Sequence, residues 1–278
     1  MANGKVAVVT GTSSGIGMHT AVGLAREGVR VVATMRDTTR AGGLLAEAAD
    51  QGVDLTVRRL DVTDRDAARR CLDEVAADLG PIGILINNAG RCVAGTLEQI
   101  DDAALQRQLD VNLLGAAALT RHVLPSMREA GGGRIISVTS ISGVAGQPFF
   151  DAFSASKFAL EGLMQSLAPV AARFGIVVSV VEPAFVATNV VENADVAALS
   201  KPDDPYRDLA DSVVRFTGDA MASAQSAREA AAVVIEAATT GAPRFRWQSS
   251  AAAAAAAGLS LADLDGSEVI NAMSTWLD

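Results

Sequence analysis

Two patterns of apolar residues alternate along the chain. Short segments led by Val, Ile and Leu occur at Lys5–Thr10, Val29–Thr34, Leu55–Leu60, Ile82–Asn87, Arg134–Thr139 and Ile176–Val181. Compact apolar runs of this kind predict strands covered on both faces, because a half-exposed strand would alternate polar with apolar positions. Helix-like sequence lies between them. One helix is predicted from the glycines near 15 to about Gly28, a long one from about Asp101 to Arg128, and another from near Ala152. This last carries Phe153, Lys157 and Leu160 at i, i+4 and i+7, so Phe153 and Lys157 share a face. Ser226–Ala238 reads as an amphipathic helix opened by a Ser226 cap, and Pro243–Trp247 as a final strand at the sheet edge. Ala251–Ala257 and Ser267–Leu277 read as helices, the first because alanine is the best helix former. Strands alternating with helices predict right-handed crossovers and hence an α/β fold, a Rossmann-type doubly wound parallel sheet in a single domain spanning 1–278. The irregular stretch at about 189–225 is expected to form a lid over a substrate region, and about 249–278 a C-terminal helical extension.

Composition narrows the classes. At 278 residues, half hydrophobic and a fifth charged, the chain is long enough for one large packed domain. A formal charge of −9 argues against nucleic acid, whose phosphates call for a basic surface. No apolar run approaches the roughly 20 residues that span a bilayer. With two histidines, His19 and His122, no metal site is expected, and Cys71 and Cys92 read as free thiols in a reducing cytoplasm.

In a doubly wound sheet, ligands lie beyond the carboxyl ends of the strands, where Gly11, Arg36, Asp61, Asn88, Ser140 and Pro183 all fall. The turn Gly11-Thr12-Ser13-Ser14-Gly15-Ile16-Gly17 joins the first strand to a helix. Bare glycines and free N–H groups at a helix start make a phosphate cradle, the alternative being a tight packing turn. After the second strand, an acidic residue would bond a ribose 2′-hydroxyl, whereas arginine pairs with a 2′-phosphate. Met35 and Arg36 therefore favour NADP(H) over NAD(H), although Asp37 follows. Asp61 and Val62 lie where an adenine would, or else Asp61 or Thr63 caps the next helix. Asn88-Ala89-Gly90 allows backbone to run close to a ligand. Asn112, a poor mid-helix residue, either bends its helix or faces a polar cavity. A hydroxyl at Ser140 and an ammonium at Lys157 form half of a proton-transfer site. The missing half is an acid, since position 153 holds phenylalanine.

These motifs, with Asp110-Val111-Asn112, Ser154-Ala155-Ser156-Lys157 and Glu182-Pro183-Ala184-Phe185-Val186-Ala187-Thr188, resemble the short-chain dehydrogenase/reductase family over roughly residues 5–240. Ala33-Thr34-Met35-Arg36-Asp37 and Ser156-Lys157-Phe158-Ala159-Leu160-Glu161-Gly162 look most like its bacterial 17β-hydroxysteroid dehydrogenase-like branch. The resemblance implies that Ser140 holds the substrate oxygen, Lys157 binds the nicotinamide ribose, Asn112 supports a water, and Val186 and Thr188 meet the carboxamide end of the cofactor. It also puts the family's proton-donating tyrosine where Phe153 stands. Three accounts compete: an engineered Tyr-to-Phe form, a natural enzyme with another proton source, or a redox-silent NADP(H)-binding sensor or scaffold. A non-redox reaction in the same pocket is a further alternative. Phe149, Phe150, Phe185, Val190, Val191 and Met221 are candidates for an apolar cleft suited to a bulky ketone or secondary alcohol. The resemblance also implies a homodimer or homotetramer joined through the long helices near 101–128 and 152–173.

Overall fold

A computed structural model describes residues 5–188, 196 and 203–278. Its sheet is built from β1 (Val6–Thr10), β2 (Arg30–Met35), β3 (Thr56–Arg59), β4 (Ile82–Asn87), β5 (Gly133–Val138), β6 (Ile176–Glu182) and a short edge strand, Arg246–Gln248. All pair in parallel, in the order β3-β2-β1-β4-β5-β6 and then the edge strand. The order reverses direction at β1, so the ends of β1 and β4 open a crevice in which ligands of such sheets lie. The register sets apolar residues side by side: Val8 neighbours Val32 and Leu85, and Ile136 neighbours Ile86.

Helices cover both faces. On one, α1 (Gly15–Arg26) and a later helix, Ala227–Thr239, bury Val22, Leu24, Val234 and Ala237 against Val9, Ile84, Ile86 and Val181. On the other lie α3 (Arg65–Leu79), α5 (Ala116–Glu129) and α6 (Asp151–Ala172), packing Leu72, Leu119, Val123, Leu160 and Met164 against Val8, Leu85 and Ile135. Each such side chain contributes about 1.5–3 kcal/mol of transfer free energy, so the two apolar layers hold the strand ends that carry the site. α2 (Gly42–Asp50) lies beyond β2 in the chain, and α4 (Asp102–Leu109) precedes the long helical stretch.

Three local readings change. The predicted helix over 101–128 is interrupted: α4 and α5 are joined by a π turn, Asp110–Gly115, with Asn112 inside it. The cap of α3 is Asp64, which accepts from Ala67 N at 3.0 Å, while Asp61 folds back on Thr63. α1 ends at Arg26, ahead of Gly28. The Ser226 cap is present as a full capping box with Glu229.

After β7 (Val186–Ala187) the described chain resumes with α7 (Arg207–Ala222), β8 (Gln225–Ser226), α8 (Ala227–Thr239), β9 (Arg246–Gln248), α9 (Ala251–Ala262) and α10 (Ser267–Ser274). Trp276, just past α10, stacks on Phe216 of α7 at 4.3 Å between ring centres and meets Phe185 at 5.9 Å. The C-terminal segment thus folds back onto the wall of the cleft. Val190 and Val191 lie outside the described residues, as does most of 189–202. Among the described residues no helix is long and apolar enough to cross a membrane, and no group of His, Cys, Asp and Glu is arranged to hold a metal.

Candidate active site

A cleft of about 1240 Å³ runs along the carboxyl edge of the sheet, from the glycine turn to the aromatic wall. At one end are Gly11, Ser13, Ser14, Gly15, Ile16 and Gly17, with Arg36 and Asp61 beside them. The turn is fixed by contacts no other residue allows. Gly11 has φ +71°, and a Cβ there would lie 2.8 Å from Ala89 Cα; one on Gly17 would lie 2.4 Å from Gly11 O. Thr10 Oγ1 accepts from the N–H of both Asn88 and Ala89 at 3.0 Å, and Asn88 Nδ2 donates to the carbonyls of Thr10 and Gly11. The Asn88 side chain is therefore spent on clamping β4 to the turn. Ser14, at the N-cap of α1, makes no side-chain cap bond, which leaves the helix's first N–H groups facing the cleft for an anion.

Arg36 is exposed at the end of β2 with Arg40 nearby, both lining the cleft. Asp37 turns aside: its carboxylate accepts from Thr39 N at 3.0 Å and Thr39 Oγ1 at 2.7 Å, and these bonds hold it below the usual carboxylate range. Val62, Ala89, Gly90, Pro183, Val186 and Thr188 complete the wall predicted for a dinucleotide.

The reacting end is held by β5 and α6. Ser140 Oγ donates to Ser142 Oγ at 3.2 Å and to Pro183 O at 3.4 Å, both long for O–H···O. Lys157 is 5% exposed, and its Nζ donates to Val138 O at 3.0 Å. Burial lowers its pKa to about 8, with Glu161 and Cys92 acting in the opposite direction. The Phe153 ring lines the cleft with its centre 5.6 Å from Lys157 Nζ. Cys92 lines the same space, its thiol pushed up to about 12 by burial and so inert.

Asn112 is buried and its carboxamide is occupied. Oδ1 accepts from Arg91 N at 2.9 Å, while Nδ2 donates to Arg91 O and to Ser156 Oγ at 3.0 Å. Through Ser156, which donates to Phe153 O at 2.7 Å, Asn112 braces the helix turn that bears Phe153. The π turn is what turns this side chain inward. Gln108 does a parallel job, bonding Val93 N and Arg91 O. Sequence reading missed it, although it sits four residues before Asn112 and so on the same face.

Behind Lys157 is a second charged group. Arg246 NH1 lies 2.7 Å from Glu161 and 2.5 Å from Glu182, both carboxylates buried. Burial pushes Glu161 up to about 7, helped by the charge of Glu182 and opposed by Arg246.

Phe149, Phe150, Phe185, Val213, Val214 and Met221 form the apolar wall. Phe149 has φ +64°, the one positive φ outside glycine among the described residues. It stands third in the turn Gln147-Pro148-Phe149-Phe150, closed by Phe150 N donating to Gln147 O at 3.1 Å. Glycine normally takes that place, and a bulky side chain there costs of order 1–2 kcal/mol. Burial of the Phe149 ring and an edge-on contact with Tyr206 at 6.4 Å offset it.

A sequence profile described as short chain dehydrogenase matches residues 5–198. Estradiol 17-beta-dehydrogenase 1 of Rattus norvegicus is 36% identical over 280 aligned residues, covering 96% of this chain and 80% of that one. Retinol dehydrogenase 8 of Bos taurus is 41% identical over 188 residues, 66% of this chain and 60% of the relative. The crystal structure of a short-chain dehydrogenase from Streptomyces avermitilis superimposes with a TM-score of 0.82 at 31% identity, across 98% of this chain and 95% of that one.

Proposed function

The chain belongs to the short-chain dehydrogenase family, oxidoreductases that act on CH–OH groups with a nicotinamide cofactor, and from that premise we propose that it uses NADP(H) to interconvert a bulky apolar ketone and its secondary alcohol. One observation carries the reading: a single cleft joins the uncapped start of α1, the exposed Arg36, the Ser140–Lys157 pair and an aromatic wall. The residues fit a dinucleotide. The α1 N–H groups and Ser13 suit a pyrophosphate, Arg36 suits a 2′-phosphate, and two N–H bonds of Lys157 beyond the one to Val138 O suit ribose hydroxyls. When bound, the nicotinamide supplies or accepts the hydride.

The chain's own part is positioning and charge. Ser140 donates to the carbonyl oxygen, replacing two long bonds by one of ordinary length, and so stabilises the developing oxyanion. The Lys157 ammonium adds positive charge near that oxygen. The aromatic wall excludes water and receives the apolar body of the substrate, in keeping with relatives named for a steroid and for retinol. Phe153 leaves no phenol to complete protonation, which gives specific support to a second reading, a redox-silent NADP(H)-binding sensor. Single-turnover oxidation of bound NADPH against a panel of steroid and aryl ketones separates them. Oxidation with any ketone is expected for the enzyme; tight NADPH binding with none oxidised supports the sensor.

We also place the protein in the cytoplasm as a homodimer or homotetramer joined through α4, α5 and α6. Phe158, Leu163 and Val170 expose apolar surface on α6, which supports such pairing. Light scattering that returns a monomer at micromolar concentration would refute it.

A further inference from the structure

Ser140 does not stand alone. Ser142 N donates to Ser140 Oγ at 3.1 Å, and Ser140 Oγ donates to Ser142 Oγ at 3.2 Å. Ser142 is buried, and its hydroxyl donates to Gln147 Oε1 at 2.6 Å. A hydroxyl has one proton to give. Because Gln147 takes the proton of Ser142, the Ser142 oxygen can only accept from Ser140. The chain of bonds therefore has a fixed polarity, and Ser140 is its donor. The Ser140 proton has two long partners, so an oxygen arriving from the cleft at ordinary distance takes it.

Gln147 is held at its backbone as well as through Oε1. Its backbone N donates to Ser154 Oγ at 3.3 Å, and its carbonyl closes the turn that places Phe149 in the aromatic wall. The side chain lines the cleft. Oε1 is used by Ser142, whereas Nε2 has no partner among the described residues. A carboxamide fixed through its oxygen presents its two N–H groups on the other side, within two hydrogen bonds of Ser140 Oγ. An apolar pocket with one such donor discriminates strongly, because a buried N–H left unpaired is costly.

We propose that Gln147 is a substrate-recognising residue: Oε1 fixes Ser140 as a donor through Ser142, and Nε2 donates to a second oxygen of the substrate. The preferred substrate is then an apolar ketone with a hydrogen-bond acceptor two or three bonds from its carbonyl carbon, a 3-oxo ester being the simplest form. This rests on the ketone reading above and narrows it.

The test uses two probes of equal length, ethyl 3-oxo-3-phenylpropanoate and 1-phenylhexan-1-one, titrated calorimetrically into the NADPH-loaded protein. The second is the more apolar, so any preference for the first comes from polar contacts. The oxo ester is expected to bind more tightly to the wild type. In Gln147→Leu the ratio of the two dissociation constants should shift by about tenfold towards 1-phenylhexan-1-one, the size of one net hydrogen bond, with NADPH affinity unchanged. Ser142→Ala, which frees Gln147 Oε1, should move the ratio the same way by less. Equal or reversed affinities in the wild type would overturn the proposal whether or not the variants fold, and so would a ratio unmoved in Gln147→Leu. NADPH binding with neither probe bound would instead refute the ketone reading itself.

Discussion

Placing a hydroxyl at position 153 tests the chemistry most directly. Phe153 and tyrosine have the same ring, and the ring lines the cleft, so the new hydroxyl in Phe153→Tyr faces open space and not packed core. Its acidity is set by Lys157. Taking the 5.6 Å from Nζ to the ring centre as the scale of separation, an ammonium stabilises a phenolate by about 3 kcal/mol at an effective dielectric near 20. That is roughly two pKa units, enough to bring a phenol from about 10 to about 8. An acid so placed contributes on the order of 10²–10⁴ in rate.

The assay is steady-state oxidation of NADPH with 1-phenylhexan-1-one at saturating cofactor, for both proteins, with NADPH dissociation constants measured alongside. The expected result is a rise in kcat of at least about a hundredfold, a cofactor affinity unchanged within twofold, and a pH profile falling as the phenol ionises near 8. The reasoning fails if cofactor affinity holds and kcat does not rise. The missing proton would then not be the deficit, and either another donor already serves or the protein performs no hydride transfer.

Three further outcomes follow from the same geometry. Arg36→Ala should weaken NADPH by roughly 10–100-fold, the range of a charge-assisted bond, and leave NADH unchanged; equal losses for both would remove Arg36 from the 2′-phosphate. Gly17→Ala would put a Cβ 2.4 Å from Gly11 O and 2.3 Å from Asn88 Nδ2, and because a backbone atom cannot give way, Tm should fall by roughly 3–10 °C and cofactor binding should be lost; calorimetry showing an unchanged Tm would refute the close packing. Glu161, ordinarily near 4.5 and here raised to about 7 even with Arg246 opposing the rise, holds a proton that the unfolded chain has already released, so stability should decline as pH rises from about 5 to 7.5, by up to about 3 kcal/mol, and Glu161→Gln should flatten that slope in denaturant titrations.

What the amino-acid order revealed was whatever depends on short-range pattern. The glycine turn, Arg36 and Ser140 each sit where a strand gives way to a loop, and the apolar runs mark those ends; Lys157 lies inside α6, one turn beyond Phe153 on the same face. Asn112 was flagged by its poor fit to a helix interior, and the π turn explains that misfit. The turn itself was not legible, since one extra residue in six leaves the apolar spacing nearly unaltered. The cap of α3 was misplaced because Asp61, Thr63 and Asp64 are all competent caps, and only the path of the backbone selects Asp64.

The remainder of the site depends on contacts far apart in sequence, which leave no periodic trace. Trp276 reaches Phe216 and Phe185, and Arg246 reaches Glu161, only once the sheet has ordered its strands. Gln147 is a different case, because its signal was local and lay in the turn. Gln-Pro-Phe-Phe places proline second, which suits a turn with either a right- or a left-handed third residue; the turn found here takes the left-handed form, and with phenylalanine at that place it carries strain that glycine would have relieved. Strain of that kind persists where surrounding contacts enforce it, and here they hold a carboxamide two hydrogen bonds from Ser140 and an aromatic ring edge-on to Tyr206 at the start of α7. The strained turn thereby couples the polar anchor of the substrate to its apolar wall. Phe149→Gly should relax the backbone, yet loosen both.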